Sequence, residues 1–282
     1  MVHRVGALEL VTNVEPAAWI VKQLHPFTQD VGSVIPEGYE AYARVFHPAY
    51  RNERDGNSVP VRWWEIASAN GRIVHPEMQF PGITGSPGPN YDPQPGVWDE
   101  EPELGSMPKE VAIRLAAILT AYTGTPTSCW FAVWNGFGNL NLPQDAPKFS
   151  IPYRDLFLLR GPLEAVAESP YVGQSADAST LICWPDDASV EAVTEAPDLG
   201  EWCYQSPNLW WPEDRAWCVA TEIDFSWTYV GGSAACVRAI LADPALEALP
   251  ARIEDGITWD SDRRNPCPPG SNDGSVRIPC PS

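Results

Sequence analysis

Asp214, Arg215, Glu222 and Asp224 are the densest group of charged side chains with chemical potential in this 282-residue chain. Residues 217–225 alternate in a way that predicts a strand. Trp217, Val219, Thr221, Ile223 and Phe225 would face one way, and Cys218, Ala220, Glu222 and Asp224 the other, because successive strand side chains alternate. The two carboxylates then share a face roughly 6–7 Å apart, from the ~3.3 Å rise per residue. Such a pair holds a hard cation through oxygen ligands, or divides acid and base roles when the environments separate the two pKa values. Asp214, Glu222 and Asp224 are therefore the candidate catalytic residues of a metal- or carboxylate-dependent hydrolase. The competing reading is an ion-pair network with arginine that braces a strand end. The spacing matches no metal template, so no metal ligand is assigned, and no cofactor motif is present.

A second group follows at once. Tyr229, Val230, Gly231, Gly232 and Ser233 read as a Gly-rich loop opening a helix at 234–242, with the glycines free to take positive φ and Ser233 as N-cap. Free N–H groups there would suit an anion, although the P-loop lysine and the G-x-G-x-x-G spacing are absent. Trp210 and Trp211 sit side by side on a turn, where burying both rings is difficult. With 13 Trp in the chain, aromatic faces near carboxylates suit a sugar or a cationic partner, and a Trp-rich core is the plainer account. All four histidines, His3, His25, His47 and His75, lie early in the chain. Three precede proline, two of them, His25 and His47, at predicted helix C-termini, and their spacing fits no zinc site.

The elements that must position these groups follow from periodicity. Helices are predicted at 16–24, 37–46, 108–122 and 163–168, the first two ending at His-Pro because the residue before proline leaves the α region. Strands are predicted at 128–138, 155–160 and 179–184, with 61–67 open between strand and helix. The fold class is α+β: a mixed or antiparallel sheet with helices on one face and a helical N-terminal part. Residues 1–259 form one domain, with a helical subdomain at 1–80 and a loop at 81–107. Residues 260–282 read as a loose Pro-rich tail, in which Cys267 and Cys280 could pair.

Two segments resemble other sequences. Residues 129–138 (Cys-Trp-Phe-Ala-Val-Trp-Asn-Gly-Phe-Gly) with 157–163, and 212–217 with 228–233, resemble a group of conserved hypothetical proteins of high-GC bacteria. The resemblance covers about half the chain and lends no catalytic residues. The Trp134-Asn135-Gly136 turn is similar to SUKH-type immunity proteins, which implies an immunity-like binding role.

Composition narrows the function classes. The net charge is −19. Between Arg160 and Arg215 there are eleven acids and no Lys or Arg. Such a field repels phosphate backbones and attracts basic surfaces. Direct nucleic-acid binding is disfavoured and a basic protein partner is expected. No run of apolar residues is long enough for a membrane helix. No signal peptide is evident, and the seven cysteines show no C-x-x-C spacing, which suits reduced thiols in the cytoplasm. The leading expectation is an acidic interaction or immunity-like module for a basic partner. The alternatives are the hydrolase centred on Glu222 and Asp224 and a carbohydrate-binding module.

Overall fold

The computed structural model describes residues 3–84, 92–137, 140, 142–168 and 204–265. Arg4–Val5 (β1) and Leu8–Leu10 (β2) pair as a short hairpin, and Ala18–Gln23 (α1) follows a 3-10 turn. Ala41–Phe46 (β3) precedes a separate hairpin of Ala49–Asn52 (β4) and Ser58–Val61 (β5). Three helices come next, Trp63–Ala69 (α2), Phe80–Thr84 (α3) and Lys109–Leu119 (α4). Cys129–Trp134 (β6), Lys148–Ile151 (β7) and Arg154–Gly161 (β8) lead to Leu209–Pro212 (β9), Trp217–Ala220 (β10) and Trp227–Gly232 (β11). Ala234–Leu241 (α5) and Ala248–Ala251 (β12) close the described elements. Ten strands form one sheet in the order β1-β2-β8-β6-β9-β10-β11-β3-β12, with β7 also on β8. Every pairing is antiparallel.

The α+β class and the antiparallel sheet are as the sequence predicts. The helices, however, cover both faces. Trp217 and Val219 pack with Leu115 of α4 and Val237 and Ile240 of α5. Cys218 and Ala220, pointing the opposite way, pack with Ile20 of α1 and Trp63 and Ile66 of α2. With both faces covered, inner strands are apolar on both sides and the in/out alternation disappears. Trp210 and Trp211 show the result: neighbours on β9, they are 0% and 1% exposed, one in each core.

The same double burial explains the misread segment at 37–46. Tyr39, Tyr42, Ala43 and Phe46 recur at helical spacing, yet 41–46 is β3, hydrogen-bonded between β11 and β12. Tyr42 and Phe46 enter one core, Ala43 and Val45 the other. The N-terminal part is thus no helical subdomain, since it supplies an inner strand of the sheet. Residues 61–67 divide between strand and helix: Val61 ends β5 and Trp63 opens α2, whose first N–H groups, on Trp63 and Trp64, donate to Glu247 at 2.6 and 2.8 Å. Residues 260–265 are not loose. The Asp262 carboxylate accepts from His75 Nε2 at 2.7 Å and from the backbone N–H groups of Gln79 and Asn265. The predicted strand at 179–184 and the Cys267–Cys280 pairing lie outside the described residues.

One charge sits inside the sheet. Arg44 of β3 is 1% exposed. Its guanidinium lies 3.8 Å from the Trp227 ring centroid and 4.8 Å from that of Phe46, and Nη1 donates to the Pro76 carbonyl at 2.6 Å. Burial pulls its pKa down to about 10, which leaves it charged at neutral pH. Aromatic faces stabilise a desolvated cation, and this box does so from inside one core.

Candidate functional site

The strand carrying Trp217 is shorter than the alternation predicts. β10 ends at Ala220; beyond it the Thr221 N–H donates to the Asn208 carbonyl at 2.7 Å and the Thr221 hydroxyl meets that of Thr228 at 2.7 Å. Residues 222–225 form a turn closed by Phe225 N–H donating to the Glu222 carbonyl at 3.1 Å. Glu222 and Asp224 therefore stand on a turn rather than on one strand face. Their carboxylates still come together through an arginine 68 and 70 residues away. Arg154, the first residue of β8, donates from Nε to Glu222 at 3.1 Å and from Nη2 to Asp224 at 3.1 Å. Glu222 also accepts from the Asp224 N–H at 2.7 Å. Burial raises the Glu222 pKa above its ordinary value, against the lowering effect of that N–H and of Arg154.

Asp214 does not join them. It lies before the other end of β10, roughly 13 Å of strand away at ~3.3 Å per residue. Its carboxylate accepts from Thr123 Oγ1 at 2.9 Å, Gly124 N–H at 2.7 Å and Ala216 N–H at 3.1 Å. That is a bracket between two turns, not a free acid. Arg215 pairs with no carboxylate among the described residues. Its guanidinium stacks on Trp19, 5.2 Å from the ring centroid.

The Gly-rich segment is not an anion loop. Tyr229, Val230, Gly231 and Gly232 belong to β11, laddered between β10 and β3. Neither glycine has positive φ. What Gly231 supplies is space: a Cβ there would lie 2.6 Å from Tyr39 and 2.9 Å from Tyr42. Ser233 does cap α5 as predicted, accepting from Cys236 N–H at 3.2 Å.

The histidines are equally occupied. His47 is fully buried between the Glu103 carbonyl and the Thr228 hydroxyl, each 3.0 Å away, and burial lowers its pKa to about 4. His25, Asp30 and Ser33 look at first like a nucleophile triad. Asp30 stands in the middle, 3.0 Å from His25 Nδ1 and 2.9 Å from Ser33 Oγ. A serine nucleophile needs the imidazole against its hydroxyl, so this order is wrong for nucleophilic catalysis.

A cleft opens where residues 221–223 face the start of β8. It is lined in part by Phe27, Trp134, Arg154, Asn208 and Glu222 and offers about 40 Å³, room for one or two waters. Its rim is aromatic and open to solvent. Phe27 is 43% and Tyr153 59% exposed, and their rings meet edge to face at 5.4 Å. Tyr153 holds φ at 65°, a backbone state that a side chain rarely takes. Trp134 lies 5.6 Å from the Arg154 guanidinium, and Gly136 leaves room for the Trp134 ring, which a Cβ would approach to 2.1 Å. Among the described residues, no group of three His, Cys, Asp or Glu could hold a metal ion. No family model, curated protein or solved structure matches the chain. Sequence reasoning found Glu222, Asp224 and Trp134 but missed Phe27, Tyr153 and Arg154. The available signal was the Arg154 charge at the start of a predicted strand.

Proposed function

We propose that the protein is an interaction module that docks a basic segment of a partner protein on the aromatic rim of this cleft. The observation that carries this reading is the pairing of Glu222 and Asp224 with one arginine beside two exposed rings. One guanidinium against two carboxylates leaves net negative charge there, and the Asp224 side chain is 68% exposed. A partner lysine or arginine would place its cation on Asp224 and its aliphatic stem against Phe27 and Tyr153. The chain's charge of −19 draws such a partner in. The turn similar to SUKH-type immunity proteins borders this cleft at Trp134, which favours an immunity-like role. The bracketed Asp214 and the Arg154-bound Glu222 and Asp224 count against a hydrolase, since an acid or base must be free to exchange a proton with substrate. The burial of Trp210 and Trp211 counts against a carbohydrate platform.

Binding of Lys/Arg-rich peptides to the full chain, followed by surface plasmon resonance over a salt series, tests the proposal. The association rate should fall steeply with ionic strength. Asp224→Asn and Tyr153→Ala should each weaken binding by about tenfold, or ~1.4 kcal/mol. An on-rate indifferent to salt, or unchanged affinity in both variants, would remove it.

A further inference from the structure

A second pocket lies away from the cleft, where the segment before α1 passes the β9–β10 turn. It is open to solvent, offers about 260 Å³ and is lined by Asn13, Glu15, Trp130, Trp211, Glu213 and Arg215, with Pro16. That volume corresponds to roughly nine waters at ~30 Å³ each. The buried Trp130 and Trp211 form the floor and the polar side chains the walls.

The charges in its walls divide into those already matched and those not. Glu213 is matched: it accepts from Trp130 Nε1 at 3.0 Å and lies 3.7 Å from Arg160 Nη2. Arg160 in turn stacks over the Trp130 ring at 5.1 Å. Asn13 turns its carbonyl to the Glu15 N–H at 3.0 Å, which leaves its NH₂ group as a donor. Glu15 and Arg215 remain. Among the described residues, the Glu15 carboxylate makes no hydrogen bond or ion pair, and the Arg215 guanidinium makes only its contact with Trp19. They are opposite charges lining one cavity, and they do not pair with each other.

An exposed ion pair is weak, so these two charges stay apart at little cost. Arg215 is held back by stacking on Trp19 from a residue with φ at 55°, and Glu15 by its place in a 3-10 turn. We infer that this pocket binds a small zwitterion, a free α-amino acid, with its carboxylate on Arg215 and its ammonium on Glu15. A guanidinium presents paired N–H donors that match a carboxylate. A neutral sugar fits less well, because the floor indoles are too buried to offer a stacking face.

The test is calorimetric titration of the full chain with each standard amino acid, alongside N-acetylated and C-amidated forms and glucose. At least one amino acid should bind saturably at millimolar concentration or below. Acetylation, amidation, Arg215→Gln and Glu15→Gln should each weaken it about tenfold or more. Both side chains are exposed, so the variants should keep their melting temperature. Asp224→Asn should leave binding unchanged, which separates this site from the cleft. The inference is overturned if no amino acid binds, if the two variants bind as the parent does, or if glucose binds equally well.

Discussion

The cleft and the pocket use the same side-chain types to opposite ends. In the cleft, Arg154 lies 3.0 Å from Glu222 and 3.1 Å from Asp224, so most of its charge is satisfied internally. In the pocket, Arg215 and Glu15 line a common space without touching. A charge paired inside the fold contributes to stability. A charge held off any counter-ion, as Arg215 is by its contact with Trp19, remains available to a ligand. The difference arises from backbone position: Arg154 extends from a sheet strand toward an opposing turn, whereas Arg215 is itself on a turn and is pinned to an indole.

Removing each arginine should separate the two cases most sharply. Arg154→Met strands Glu222 half-buried beside Asp224, and urea unfolding should report a loss of about 2–3 kcal/mol, below the 3–5 typical of a fully buried pair. A loss under about 0.5 kcal/mol would mean that the cleft charges brace nothing. Arg215→Gly should act oppositely. It relieves a left-handed residue, a conformation that costs about 1–2 kcal/mol for an L-residue, against the added entropy of a glycine in the unfolded chain. Stability should hold or rise by up to about 1 kcal/mol while amino-acid binding is lost. A marked destabilisation would place Arg215 in the scaffold instead.

pH sharpens the contrast with a smaller effect. Burial raises the Glu222 carboxyl, so the folded protein keeps that proton to higher pH than the unfolded chain does. Its contribution is complete below the ordinary value of 4.5 and is lost as pH rises through the raised one. Unfolding free energies measured across that window should fall less in Glu222→Gln than in the parent. An identical slope in both would indicate an unshifted carboxyl. The smallest effect is expected from Mg²⁺, Mn²⁺ or Ca²⁺. With Glu222 and Asp224 both on Arg154, none of these should move the melting temperature. A metal-dependent rise that disappears in Asp224→Asn would restore the hydrolase, because a ligand of the native state must stabilise it.

Local signals in the sequence located α4, β6, β8 and the Ser233 cap, where a single apolar stripe, an aromatic run or a capping hydroxyl decides the structure. The sequence did not reveal what depends on distant residues. Trp210 and Trp211 looked difficult to bury together until the sheet acquired cover on both faces. Gly231 and Gly232 read as a loop, because nothing local says that Tyr39 and Tyr42 need the space. Glu222 and Asp224 were legible as a pair, but the partner that neutralises them lies far back in the chain, on β8. Glu15 and Arg215 come from opposite ends of the sheet's sequence, and no periodicity links them.

The position of Arg44 has a consequence during synthesis. β3 is made early, yet both its neighbours, β11 and β12, come from the last quarter of the described chain. Between residues 46 and 227 a ribosome working at roughly 5–20 residues per second needs on the order of ten to forty seconds. For that time Tyr42, Ala43, Val45 and Phe46 form a sticky ribbon with two open edges, the kind that recruits a neighbouring nascent chain. A guanidinium in the centre of that ribbon makes a dry, mispaired stack costly. The ring faces that take up this cation, those of Phe46, Trp63 and Trp227, are complete only once Trp227 has been made.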